Sequence, residues 1–291
     1  MSLGLIQTAV ELGLICSLTV IALFVSYTML GVCDLSTDSC FTLGAVTGAV
    51  VAISGHPYLA IVAAIIAGCL SGFIVSFLQT RLGIDSLLAG IVVNSGMYSI
   101  NIFLMSGSSL LNMNKTVTIF TIFKGFMNTS FYKIVLVSVI VIAVIILLSL
   151  FFKTKLGLAI KATGSNVAMV KNSSIDPKFI TTIGLCLSGS ICALSGCLLA
   201  QSQKSVSIDI GIGMLTIALA SLLIGRTFGD KGKTFKRLCF AVLGSIIFRI
   251  VYMIALRLNM PAYMLKLVSS VIVVLALCLP KIRGKKYAKT K

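Results

Sequence analysis

The chain has 291 residues, of which 58% are hydrophobic and only 11% charged, and its formal net charge is +17. Soluble domains contain roughly 25% charged residues, and a chain this apolar has too little polar surface to cover its core in water. The composition therefore excludes a water-soluble protein. The composition also predicts an all-α polytopic transmembrane helix bundle, because backbone amides in lipid must be paired within each segment. We expect residues 1–291 to form a single membrane domain.

Nine apolar runs follow one another along the chain. A membrane-spanning helix needs about 20 apolar residues, with a range of roughly 17–25. The runs cover residues 12–32, 39–54, 58–80, 86–105, 132–152, 179–200, 211–225, 238–256 and 261–280. The second and the seventh are short, so we expect about 8–10 spans. The N-terminal segment lacks the basic region of a cleaved signal peptide, which predicts that the first span is retained.

The basic residues predict the orientation of the bundle, because lysine and arginine concentrate on cytoplasmic loops. Alternate loops hold 17 of the 24 basic residues. These cytoplasmic segments are 153–178, 226–237, the tail 281–291 and the turn after the third span, which contains Arg81. The N-terminus and the loop 106–131 then lie outside. The positive charge is thus a topology signal, and we expect contact with lipid rather than with nucleic acid.

Polar side chains inside the spans mark either function or contacts between helices. Arg249 lies near the middle of the eighth span, where it either pairs with a carboxylate or carbonyl groups of another helix or has a functional role. In the fourth span Asn94, Tyr98 and Asn101 recur at i, i+4 and i+7, which places them on one helical face. Such a stripe either hydrogen-bonds a neighbouring helix or lines an aqueous path, and we favour the path.

Similar polar segments precede the two short spans. The segment CDLSTDSC (33–40) precedes the first and SVSIDIG (205–211) precedes the second, and the loop charges predict that the two spans run in opposite directions. Paired short, interrupted segments are typical of an inverted repeat with a transport site between its halves. Chance similarity between helices rich in small residues would give the same pattern. We predict that Asp34, Ser36 and Asp38 line the path with the stripe of the fourth span.

No pattern in the sequence indicates catalysis. The chain has one histidine, no Cys-x-x-Cys pair and no phosphate-binding Walker sequence. We therefore expect no catalytic residue, no metal site and no bound cofactor. If the protein uses ATP, another subunit must bind it.

A basic, partly helical segment, LGLAIKATGSNVAMVKNSSIDPK (156–178), interrupts the apolar runs near the middle of the chain. It resembles the LG-x3-RA-x-G-x-N-x-A pattern with which permease subunits of ABC importers of the branched-chain amino acid and ribose type contact their ATPase. The matching positions are Leu156, Gly157, Lys161, Ala162, Gly164, Asn166 and Ala168. Lys161 replaces the usual Arg, which keeps the charge and loses the guanidinium fork.

Four further segments resemble this family in the expected order. They are CDLSTDSCFTLGA, SLLAGIVVNSGMYSIN, SIDIGIGMLTIALASLLIG and YMLKLVSSVIVVLALCLP. The likeness is greatest to permeases of the tryptophan and tyrosine type. It implies a fold like that of vitamin-importing (type II) permeases and a location in the bacterial plasma membrane. It also implies a second permease copy, a cytoplasmic ATPase and an extracytoplasmic substrate-binding protein.

The function implied by the resemblance is a pathway for a small amino-acid-like solute, with aromatic amino acids favoured. In that interpretation 153–178 docks on the ATPase, and an apolar face with Leu158, Ala159 and Ala162 enters a groove on it. Alternatively, the segment is an amphipathic helix on the inner leaflet. Two other functions also remain open, namely a secondary transporter driven by an ion gradient and a structural membrane protein that carries no solute.

Overall fold

The computed structural model describes residues 3–126, 131–229 and 233–257, together with positions 267, 270, 271 and 274. Of the predicted ninth span only these last four positions belong to the described part. The basic tail 281–291 lies outside it.

Helices make up nearly all of the described chain. In chain order the elements are α1 (Leu3–Leu23) with a π-helical turn (Phe24–Met29), α2 (Thr37–Ile53), α3 (Pro57–Thr80), α4 (Ser86–Leu104), β1 (Leu110–Asn112), α5 (Ile119–Phe126), α6 (Tyr132–Phe151), α7 (Lys155–Ser165), α8 (Val167–Asn172), α9 (Pro177–Gln203), β2 (Ser205–Ser207), a 3₁₀ turn (Ile208–Gly211), α10 (Met214–Phe228) and α11 (Thr234–Arg257).

Seven helical segments in the described residues are long and apolar enough to cross a membrane, and α2 is a shorter apolar helix. They coincide with eight of the nine predicted spans, so the prediction of an all-α polytopic bundle is confirmed. One boundary was wrong, since α1 begins at Leu3 and not at residue 12. The helix can include Glu11 because that carboxylate pairs with Lys133, 3.4 Å away, and accepts a hydrogen bond from Ser202.

The long helix α9 lies at the centre of the bundle, between α1, α2 and α3. Glycines allow these helices to approach closely, as is usual between membrane helices. A Cβ atom added at Gly44 in α2, at Gly68 in α3 or at Gly196 in α9 would meet the backbone of the facing helix. On another side of α9, Ser195 donates a hydrogen bond of 2.7 Å to the carbonyl of Ile15 in α1.

The helices α2 and α10 both begin near the middle of the bundle. The Cys192 thiol, close to the midpoint of α9, lies 3.5 Å from the carbonyl oxygen of Thr37, the first residue of α2. From there α2 runs alongside α9 to the end of the bundle where β1 and β2 pair as an antiparallel ribbon. Starting beside the same point, α10 runs the opposite way, and its Gly225 packs on the first turns of α11. The opposite directions of the two short spans agree with the prediction, and the inverted repeat itself stays a prediction.

Candidate functional site

A cavity of about 440 Å³ opens where the N-termini of α2 and α10 meet beside α4. It is lined by Asp38, Ser39, Thr42, Asn94, Ser95, Tyr98, Asn101, Ile208 and Ile212. Four of the six predicted path residues are therefore brought together, three of them because their spacing places them on one face of α4. Their role in transport stays a prediction.

Asp38 connects the two short helices α2 and α10. It lies in the first turn of α2, and its carboxylate accepts hydrogen bonds from two amides at the start of α10. Its Oδ1 lies 2.7 Å from the amide nitrogen of Leu215, and its Oδ2 lies 3.0 Å from that of Gly213. Two helix N-termini thus face one carboxylate, which is the sign of charge that helix N-termini favour. Gly213 also adopts a left-handed conformation, with φ of 85°, which suits glycine.

Asn101 contributes a buried amide to the cavity wall. Its side chain is 1% exposed, and its Nδ2 donates to the carbonyl of Ser39 across 3.4 Å. Its Oδ1 is buried and has no hydrogen-bond partner among the described residues. Buried acceptors without a partner are uncommon in proteins, and each requires an explanation.

The other two predicted path residues do not line the cavity. Asp34 and Ser36 are both buried, and they bond to each other in the extended segment before α2. The amide and hydroxyl of Ser36 both donate to Asp34 Oδ1, over 2.9 and 2.6 Å. This arrangement fixes the turn from which α2 starts, so the two residues position the cavity instead of facing it.

Five lining residues were not predicted. Three of them had a signal in the sequence, since Thr42 lies one helical turn after Asp38, and Ser39 and Ser95 directly follow Asp38 and Asn94. Ile208 and Ile212 had none. Their place at the cavity depends on how the 3₁₀ turn packs against α2, and that contact joins distant parts of the chain. Among the residues that the structure describes, no group of three His, Cys, Asp or Glu could hold a metal ion.

The segment predicted to dock on the ATPase forms a bent pair of helices, α7 and α8, which we call the elbow (155–172). Asn166 separates them with an extended backbone, and its side-chain oxygen accepts a 3.1 Å hydrogen bond from the amide of Met169. The segment therefore forms two helices. Asn166 ends one helix and caps the next, which is a role that asparagine favours.

One face of the elbow packs on the bundle. A Cβ atom at Gly157 would meet the carbonyl of Phe151, and one at Gly164 would meet the carbonyl of Met29 at the end of the π-helical turn. Ala159 is also buried, so the expectation that it faces an ATPase is wrong.

The elbow also has exposed apolar side chains. Leu158 is 57% exposed and Met169 is 63% exposed. We call the four exposed apolar side chains Leu156, Leu158, Val167 and Met169 the elbow surface. Lys161, Asn166 and Ala168 are exposed as well, whereas Ala162 is half-buried.

Arg249 has partners other than those expected. Its guanidinium Nη2 lies 2.8 Å from the sulfur of Cys16 on α1, and its charge lies 5.6 Å from the centre of the Tyr252 ring. A thiol and an aromatic ring therefore replace the expected carboxylate or carbonyl groups. The thiol contact joins α11 to α1, and the ring contact lies within α11. Neither involves a residue that lines the cavity, which favours a structural role for Arg249.

Comparison with known proteins gives three similarities. Residues 5–277 match the family described as branched-chain amino acid transport system, permease component. The chain is 33% identical over 272 residues to a tyrosine transport system permease protein of Clostridioides difficile, covering 93% of this chain and 89% of that one. It is 28% identical over 283 residues to an uncharacterized protein of Rickettsia prowazekii, covering 94% and 97% of the two chains.

A solved structure shares the fold. PsaBC from Streptococcus pneumoniae, in complex with a Fab, aligns with a TM-score of 0.54 and 16% identity, covering 94% of this chain and 89% of that one. At this level of identity the similarity establishes the fold alone.

Proposed function

Because the chain belongs to the family of branched-chain amino acid transport permeases and is a multi-pass protein of the plasma membrane, we propose that it moves a small amino-acid-like solute through the cavity. An aromatic amino acid is the favoured cargo, since one relative is named a tyrosine transport system permease. The observation on which this depends is the polar cavity where the N-termini of the two short helices α2 and α10 meet. In transporters, paired short or interrupted helices of this kind indicate a substrate site near the middle of the membrane.

A second copy of the chain completes the path in this proposal. The cavity opens along α4, where Tyr98 is 48% exposed and Ser95 is exposed as well. Polar groups that face lipid are costly, so a protein surface is needed to close this side. A second α4 supplies the same polar stripe, and two copies would then enclose one path between them.

The elbow surface is the proposed docking site for a cytoplasmic ATPase. This segment combines four exposed apolar side chains with the exposed Lys161 and Lys171, a composition that suits a groove with an acidic rim. An extracytoplasmic binding protein would deliver the solute at the opposite end, to the loop 106–131 and the β1–β2 ribbon.

The elbow also has a direct connection to the cavity. Gly164 touches the backbone of Met29, and the chain then passes through the buried turn of Asp34 and Ser36 into the start of α2. A shift of the elbow therefore moves the N-terminus of α2, and with it the Asp38 joint. Through this route ATP-driven motion would open and close the cavity.

Copurification tests the docking proposal. The double variant Leu158→Asp and Met169→Asp places charge on the elbow surface and leaves its buried face intact. We expect the cognate ATPase to be lost from the purified complex. The matched control is Val117→Asp, an equally exposed apolar position in the external loop, which should retain the ATPase. Retention by the elbow variant would contradict the docking site.

Uptake into proteoliposomes tests the path. Asn94→Leu combined with Asn101→Leu removes two amides from the cavity, and we expect ATP-driven uptake of labelled L-tyrosine to fall by at least tenfold. Thr8→Leu, at an exposed position near the start of α1, makes a similar polar-to-apolar change elsewhere and should leave uptake unchanged. Unchanged uptake in the double variant would overturn the assignment of the path.

A further inference from the structure

Five polar residues of the cavity wall, Asp38, Ser39, Thr42, Ser95 and Asn101, present mainly acceptors. Three hydroxyl groups in its wall donate their protons to carbonyls of their own helices. Ser39 donates to Ser36 over 3.0 Å, Thr42 to Asp38 over 3.1 Å and Ser95 to Ile91 over 3.1 Å. A hydroxyl has a single proton, so each presents only lone pairs to the cavity.

Asn101 adds an acceptor that has no partner. The carbonyl of Ser39 can only accept a hydrogen bond, so the amide nitrogen of Asn101 must face it and the oxygen must be the free atom. This oxygen is buried in the cavity wall without a partner among the described residues. An amide oxygen buried in this way is unfavourable unless a ligand or a water molecule donates to it.

Asp38 supplies the only formal charge among the lining residues. Each of its oxygens accepts one amide proton from α10 and retains further lone pairs toward the cavity. Among the described residues that line the cavity there is no lysine, arginine or histidine. Asn94 and Tyr98 can donate to an acceptor on a ligand, whereas Asp38, the Asn101 oxygen and the three hydroxyl groups call for donors and a positive charge.

We propose that the cavity is itself a weak binding site that selects solutes with a primary ammonium group, with Asn101 Oδ1 and Asp38 as its acceptors. An ammonium group carries three donors and no acceptor, which matches the wall. The inference rests on the proposed function and extends it, because the permease then contributes to selection in addition to its binding protein.

Binding of three related ligands tests this inference. The full-length permease with its ATPase is placed in nanodiscs without binding protein or nucleotide, and saturation-transfer NMR measures the Kd of each ligand. The ligands are L-tyrosine, tyramine, which lacks the carboxylate, and 3-(4-hydroxyphenyl)propanoate, which lacks the ammonium group. We expect the deaminated ligand to bind at least tenfold more weakly than L-tyrosine, since a hydrogen bond to a charged group changes the Kd by roughly tenfold or more. Tyramine keeps the ammonium group, so its affinity should fall by less than this.

Two variants test whether side chains of the cavity wall cause the preference for an ammonium group. Asn101→Leu should raise the Kd of L-tyrosine about tenfold and leave the Kd of the deaminated ligand unchanged, since only the ammonium group donates to this oxygen. Thr42→Val removes another acceptor, keeps the side-chain shape and should act in the same direction, so the test stands even if the first variant folds poorly. The control Thr8→Leu should bind all three ligands like the wild type.

Equal Kd values for L-tyrosine and the deaminated ligand in the wild type would overturn the inference. An unchanged preference in both wall variants would also overturn it. Active ATP-driven uptake combined with either result rejects the ammonium site and leaves the proposed function standing. Amine-selective binding without uptake of any amino acid would instead support the site and reject the proposed cargo.

Discussion

The carboxylate of Asp38 holds α10 against α2, and replacing it should loosen the start of α10 specifically. Asp38→Asn keeps the size of the side chain but leaves one acceptor oxygen for the two amides of Gly213 and Leu215, which now lie 3.0 and 2.7 Å from the carboxylate. One amide then faces an NH₂ group and loses its bond. The expected local cost is about 1–3 kcal/mol.

Hydrogen exchange measures this cost directly. In the full-length protein in nanodiscs, peptides that cover residues 208–218 should exchange roughly 5- to 150-fold faster in the variant, which is the stated cost expressed as a ratio. Asp209→Asn makes the same chemical change at an exposed position nearby and should exchange like the wild type. Wild-type exchange in the Asp38 variant would show that the joint does not hold α10, and the proposed route from elbow to cavity would fail with it.

Further predictions concern packing and charge inside the bundle. Gly196→Val should abolish monodisperse protein in size-exclusion chromatography, because its side chain would collide with the backbone of Phe41, whereas Gly125→Val, with open space around it, should behave like the wild type. Arg249→Met should leave the free energy of unfolding unchanged or raise it by up to about 4 kcal/mol. An apolar side chain of similar length then replaces a charge inside the membrane whose guanidinium contacts only the thiol of Cys16 and the ring of Tyr252 among the described residues. Loss of uptake by a stable Arg249→Met protein would show that this charge has a functional role.

The spans were predictable because they depend on local composition. An apolar run of sufficient length must be helical in lipid wherever it lies, so eight of the nine runs correspond to the observed helices. The start of α1 was missed because Glu11 interrupts the run. Its partners Lys133 and Ser202 are distant in sequence, and only the folded chain shows that they compensate the charge.

The cavity was partly predictable. The spacing of Asn94, Tyr98 and Asn101 on α4 placed them on one face without any knowledge of the fold. The partners of Asp38 could not be inferred, because its hydrogen bonds join two helices from opposite halves of the chain. Local polarity also did not reveal that Asp34 lies in a buried turn, which depends on the hydroxyl and amide of Ser36.

The elbow shows the limit of motif matching. The pattern located the segment correctly, but it did not reveal that Gly157 and Gly164 serve close contacts with the bundle. Glycine at those positions reflects the backbone that lies opposite, so the motif combines residues that hold the elbow in place with exposed residues that are free to meet a partner.

The central claim is that a separate ATPase drives transport through the elbow. Uptake of labelled L-tyrosine into proteoliposomes that contain the permease and its binding protein tests it most directly, with the ATPase present or omitted and with a sodium or proton gradient imposed in each case. We predict uptake only when the ATPase and ATP are present, whatever the gradient. Full-rate uptake without the ATPase would contradict the claim and favour a transporter driven by an ion gradient.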